Sequence, residues 1–93
     1  MQNKIIYGVP FSQPVRAVMW LMLIKKFPFE LKLINPDSSS EGGSRHPDYL
    51  KKFPTGTIPS FEDPETGLLI SESHAIMCYL CNTNNWNDLY PSN

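Results

Sequence analysis

A serine stands directly ahead of an almost unbroken apolar run in PFSQPVRAVMWLMLI, residues 10–24. Placed there, the Ser12 hydroxyl has two uses. It can accept a backbone N–H as a helix cap, worth about 1 kcal/mol, or it can donate, beside the free N–H groups of a positive helix end, to an anion such as a thiolate. Ile58-Pro59 is the second candidate. X–Pro bonds in folded proteins are trans in all but about one case in twenty. A cis bond here would turn the Ile58 N–H and C=O outward at the start of a strand, where an extended peptide can pair with them. Glu72 and Ser73 are the third candidate. They can cap a helix and compensate its dipole, or they can hold an amino-acid head group. In that second role Glu72 takes the ammonium, and the Ser73 hydroxyl and N–H take the carboxylate. Arg45, in a loop, is available for a second carboxylate or stands as an unpaired surface arginine.

Two other patterns carry less. Cys78-Tyr79-Leu80-Cys81 has the C-x-x-C form, but it lies late in a helical pattern rather than at a strand-to-helix turn, where a helix dipole would lower a thiol pKa. Both cysteines read as buried and inert. His46 and His74 show no zinc-type spacing with them, so no metal site is expected. A thiol-based redox domain would need a cysteine where Ser12 stands.

The elements that position these residues follow from pattern. KIIYGV, residues 4–9, is a β-rich run closed by Pro10, and the helix after it has Pro14 in its first turn. That helix is expected to reach about Lys26, with Lys25 and Lys26 opposing its dipole and Pro28 ending the turn. It is apolar all round, whereas a helix on a sheet needs one apolar stripe, so its other side needs a cover. FELKLIN, residues 29–35, alternates as a strand does. Residues 36–45 are turn-forming, without an apolar anchor, and read as mobile. A short helix in HPDYLKKF, a hairpin around PETG and a helix from ESHAIMCYLC follow, and Trp86 and Tyr90 anchor a polar tail. The order β-α-β-α-β-β-α predicts an α/β, thioredoxin-like fold: a four-stranded mixed sheet with helices on both faces.

Ninety-three residues make one domain, with no second core expected. Eight basic against nine acidic residues, for a net charge of −1, give no field to steer the chain onto nucleic acid or acidic lipid. The longest apolar run, residues 17–24, is far short of the ~20 residues that span a bilayer. With two cysteines and no disulfide framework, the chain is read as cytoplasmic.

SQPVRA (residues 12–17), IPSF (58–61), ESHAIMCYL (72–80) and the closing LYP (89–91) occur in one order along the chain. With them the chain resembles the N-terminal, thioredoxin-like domain of cytosolic glutathione transferases, most closely the theta-like, serine-type members. The resemblance implies that Ser12 donates to the glutathione sulfur, that Ile58-Pro59 is cis, and that Ile58 pairs with the cysteinyl backbone. It implies that Glu72 and Ser73 clamp the γ-glutamyl group and that Arg45, with Ser44 or His46, meets the glycine carboxylate. Tyr7 is the rival donor, since other classes use a tyrosine near the end of the first strand. Glutathione would be the co-substrate, with no cofactor, and a small hydrophobic electrophile the other substrate. Residues 1–84 would be the glutathione-binding domain and 85–93 the start of a linker to an all-helical domain, in a protein that forms a homodimer. KKFPTGTIPSFE, residues 51–62, also resembles the glutathione-transferase-like module in the gamma subunit of a translation elongation factor, which implies a non-catalytic assembly role as the alternative.

Overall fold

Three consecutive bulky side chains in KIIYG force strand β1 (Lys4–Gly8) to bury both of its faces. Successive side chains alternate across a strand. Ile6 therefore joins a core with Val15, Val18, Phe61, Ile76 and Leu80, while Ile5 and Tyr7 pack with Ile34, Tyr49 and Phe53 on the other side. The single expected core is thus two clusters, because a strand apolar on both faces has to be covered twice.

The structure, a computed structural model, describes residues 3–86. After β1 come α1 (Gln13–Ile24), β2 (Phe29–Leu33), α2 (Pro47–Lys52), β3 (Ser60–Asp63), β4 (Leu68–Ser71) and α3 (Ser73–Asn84). The sheet order is β2-β1-β3-β4, with β1 and β2 parallel and the other neighbours antiparallel. Helices α1 and α3 cover the Ile6 side and α2 covers the Tyr7 side, which is the expected thioredoxin-like arrangement. Register sets what meets at one end of the sheet. Tyr7 lies opposite Ser60 and Ser60 opposite Ser71. This row gathers the exit of β1 toward α1, the approach to β3, and the exit of β4 toward α3.

Several expected boundaries shift for local reasons. Helix α1 stops at Ile24, and the lysines close it through backbone geometry: Lys26 takes φ 53 and donates to Leu23 O at 3.1 Å, while Phe27 N–H reaches Met22 O at 2.8 Å. That paired pattern is a Schellman close, here with lysine at the left-handed position. Strand β2 ends at Leu33 because Asn35 turns into the following loop. That loop is laced to itself: Asn35 N to Gly42 O at 2.9 Å, Ser44 N to Asn35 O at 2.9 Å, Arg45 N to Ser38 O at 2.8 Å and Asp37 N to Ser44 Oγ at 2.7 Å. A methyl on Gly43 would sit 2.1 Å from Ser38 O, so only glycine allows this closure. The second side of α1 is indeed open, with Trp20 63 %, Leu23 58 % and Ile24 65 % exposed.

At the head of α3, Glu72 caps with its carboxylate, accepting from His74 N at 2.9 Å and Ala75 N at 3.1 Å. Its own φ is 93, a conformation that L side chains rarely adopt. At the other end Trp86 stacks edge-on against Phe27, 5.4 Å between centroids. Tyr90 and the LYP motif lie outside the described residues. Among the described residues no helix is long and apolar enough to cross a membrane.

A polar clamp ties α2 to the sheet. Tyr7 OH donates to Glu62 Oε1 at 2.5 Å, and Lys52 Nζ reaches that oxygen at 2.9 Å and Tyr7 OH at 3.3 Å. Lys52, then Tyr7, holds the Glu62 carboxyl below its ordinary 4.5. The contribution of Glu62 is therefore complete above pH 4.5 and is lost as pH falls through its lower folded value. Burial pushes Asp63 up, but the Glu65 N–H, Lys4 and Tyr79 outweigh it and leave that carboxyl lowered too. Thermal melts taken downward from pH 7 should show Tm falling below about pH 4.5. In Glu62→Gln the fall should be shallower, with the rest of it due to Asp63 and Glu72, whose carboxyls are lowered as well, and an unchanged acid limb would contradict the clamp. At position 72, glycine accepts positive φ without a Cβ penalty, whereas alanine keeps the strain, and both lose the carboxylate cap. Glu72→Gly should therefore melt at a higher temperature than Glu72→Ala, and calorimetry showing the reverse order would mean that no strain resides there.

Candidate functional site

Where the row Tyr7, Ser60, Ser71 ends, three segments enclose an open groove of about 450 Å³. Pro14 of α1 forms one side, Ile58 and Pro59 the floor beside β3, and Ser71, Glu72 and Ser73 the β4–α3 junction. Thr55 and Thr57, their hydroxyls 3.0 Å apart, complete a wall that the sequence patterns did not single out. The signal for it was two threonines leading into Ile-Pro. Glu72 is the one charged lining residue among the described ones.

Ser12 lies at the N-cap of α1, with φ −79 and ψ 128, and its carbonyl accepts from Arg16 N at 2.9 Å. Its side chain makes no capping bond. Of its two possible uses, capping is therefore the one that the structure does not contain. The first turn of α1 holds no acidic residue, so the positive end of its dipole is uncompensated two residues from the groove-lining Pro14.

The Ile58-Pro59 bond is cis. Neither the N–H nor the C=O of Ile58 has a hydrogen bond among the described residues. The next carbonyl, of Pro59, accepts from Glu72 N at 3.4 Å, which joins the cis segment to the head of α3. The backbone N–H of His74, then that of Ala75, keeps the Glu72 carboxyl below its ordinary 4.5 and hence ionised. A carboxylate has about four lone-pair sites and capping uses two, so Glu72 can cap α3 and still receive an ammonium. The Ser73 hydroxyl has no partner among the described residues.

The residues proposed for a second carboxylate are less well assembled. Like Ser12, Arg45 is not in the groove lining, and its Nε lies 3.9 Å from Asp37 Oδ1, with both side chains exposed. It does approach the wall, since its Cδ would be 3.4 Å from a methyl on Gly56. Ser44 is buried and accepts from Asp37 N, and His46 Nδ1 accepts from Asp48 N at 3.1 Å to cap α2. Tyr7 belongs to the α2 side. Its hydroxyl is held by Glu62 and Lys52, and burial, then Glu62, pushes its pKa above the ordinary 10.0. It lines a separate cavity of about 280 Å³ with Ile34 and Tyr49. Cys78 and Cys81 are in no disulfide, Cys81 is buried, and no group of potential metal ligands occurs among the described residues.

Residues 6–87 match the family model for the glutathione S-transferase N-terminal domain. Glutathione S-transferase D7 of Anopheles gambiae is 33% identical over 78 residues, 84% of this chain and 34% of the relative. Elongation factor 1-gamma-B of Xenopus laevis is 35% identical over 82 residues, 88% of this chain and 18% of that protein. An epsilon-class glutathione S-transferase from housefly, Musca domestica, superposes with a TM-score of 0.83 at 36% identity, covering 98% of this chain and 40% of the other. A glutathione transferase homologue from Drosophila mojavensis, with bound glutathione, gives 0.77 at 36% identity, covering 89% and 36%. This chain thus spans about a third of the Anopheles relative and under a fifth of the Xenopus one. The chain belongs to the glutathione S-transferase N-terminal domain family.

Proposed function

We propose that the groove binds glutathione and activates its thiol for attack on a small hydrophobic electrophile. One observation carries this reading: a single carboxylate, Glu72, stands among helix N–H groups, hydroxyls and the unpaired Ile58 backbone in one groove. That pattern suits a zwitterionic peptide. The γ-glutamyl ammonium goes to Glu72 and its carboxylate to the Ser73 hydroxyl and N–H at the head of α3. The cysteinyl backbone pairs with Ile58 as an added strand. Arg45 takes the glycine carboxylate if it leaves Asp37, a contact that is exposed and weak. The Drosophila mojavensis homologue with bound glutathione supports the ligand assignment.

Ser12 is the donor to the sulfur in this reading, supported by its uncommitted hydroxyl and by the engagement of Tyr7 elsewhere. The serine-type part of the theta-like resemblance is kept on those grounds, while the class itself is left at the family level because the housefly neighbour is epsilon-class. A free thiol of pKa about 8.5 is only a few per cent ionised at neutral pH, and each unit of depression is worth about 1.4 kcal/mol. A hydroxyl donor and the α1 dipole favour the thiolate. The proton leaves to solvent, and the sulfur lone pair forms the bond to the electrophilic carbon as that carbon releases its leaving group with the bonding pair or, in an activated double bond, passes its π pair to the activating group. Glutathione is a co-substrate here and no further cofactor is needed.

The remainder of the reading concerns a longer protein. It takes residues 1–84 as the glutathione domain, with 85–93 leading to an all-helical domain that covers the open face of α1, and a cytoplasmic homodimer. A second reading, a non-catalytic assembly module, is favoured by the match to Elongation factor 1-gamma-B.

Ultraviolet titration separates the two. With glutathione bound, wild type should show thiolate absorbance at neutral pH, and Ser12→Ala should lose it, its bound thiol titrating nearer 8.5 with affinity retained. No binding by either protein would leave the assembly module. The 93-residue chain alone is expected to bind weakly and to conjugate slowly, and a rate matching a two-domain transferase would contradict the proposed need for a helical domain.

A further inference from the structure

Beneath the groove, the Tyr49 hydroxyl of α2 lies 2.7 Å from the Thr57 carbonyl oxygen and 2.7 Å from Ser60 Oγ, and Ser60 Oγ is 3.2 Å from the same carbonyl. Two hydroxyls and one acceptor-only oxygen form a closed triangle. Tyr49 donates to the carbonyl and accepts from Ser60, or it donates to Ser60, which donates onward. In either sense the Thr57 oxygen accepts a hydrogen bond. Tyr49 and Ser60 are buried. Burial also pushes the Tyr49 phenol above its ordinary 10.0, so it remains a donor.

Covalent geometry carries the effect into the groove. The Thr57 C=O and the Ile58 N–H are opposite ends of one planar peptide unit, so holding the oxygen sets the direction of the N–H. That N–H has no acceptor among the described residues, and Ile58 lines the groove. We propose that Tyr49 is a positioning residue for the peptide ligand, aiming the Ile58 N–H at the cysteinyl carbonyl of glutathione through the Thr57 carbonyl. The assignment rests on the glutathione reading above. The ring of Tyr49 packs on Tyr7 and Phe53, at 5.9 and 5.2 Å between centroids, so Tyr49→Phe keeps the packing and removes only the hydroxyl.

The test is calorimetry of the 93-residue chain with glutathione and with its analogue carrying a thioamide, a poor acceptor, in place of the cysteinyl carbonyl. Glutathione should bind Tyr49→Phe about fivefold more weakly than wild type, and Tyr49→Phe/Ser60→Ala more weakly again, because Ser60 alone still reaches the carbonyl. The thioamide should bind wild type and Tyr49→Phe within about twofold of each other, and the pKa of the bound glutathione thiol should be the same in both proteins. Equal loss for the two ligands, or unchanged glutathione affinity in Tyr49→Phe, would overturn the positioning role while leaving the glutathione reading intact. Should the double variant not fold, the single variant decides. If wild type binds no glutathione, both readings fall together.

Discussion

One cross-sheet register, Tyr7 against Ser60 against Ser71, holds the groove together. A slip of one residue would turn Phe61 out of the α1–α3 core and put Ser60 into it. The burial of Ile6 and Phe61 on one side and of Tyr7 on the other forbids this. With the register fixed, the approach to β3 and the start of α3 have no freedom to separate, and the Glu72 N–H to Pro59 O contact is a consequence of that proximity. The groove is therefore a by-product of core packing, assembled from backbone ends that the sheet delivers to one place.

Its electrostatics follow from the same delivery. The N-terminus of α3 opens into the groove and that of α1 lies beside it, and neither first turn contains an acidic residue. Two positive dipole ends favour anionic groups on a ligand. Glu72 alone supplies the opposite sign, and its place at the cap keeps it ionised without burying it. Charge of both signs within one short groove selects for a small zwitterion over a uniformly charged polymer.

How much of this was legible beforehand varies with the range of the forces involved. Pro14 and Pro47 mark two helix starts, and Gly67 at φ 80 closes the PETG turn, because those signals act within a few residues. The cis bond at Ile58-Pro59 was legible only through resemblance, since the local preference is trans and tertiary structure chooses otherwise. Lys25 and Lys26 looked like dipole partners, but the helix closes through the left-handed backbone of Lys26. The two-sided core was visible in KIIYG only as a continuous run. Tyr49 is not among the residues that the sequence singles out, because nothing in it reports that this hydroxyl meets the Thr57 carbonyl, eight residues on.

The loop between β2 and α2 has a consequence for affinity. Ordering a free backbone costs roughly 1–2 kcal/mol per residue, and a ligand that had to organise the segment carrying Arg45 would bear that entropy itself. Here the cost is already met within the folded chain, by the Ser44 hydroxyl and by the close passage of Gly43 against Ser38. A partner for the guanidinium would have one side chain to still, not a whole stretch of coil. Selection could then vary the residues displayed on this loop while its knotted frame stays put, tuning recognition without touching the cores beneath.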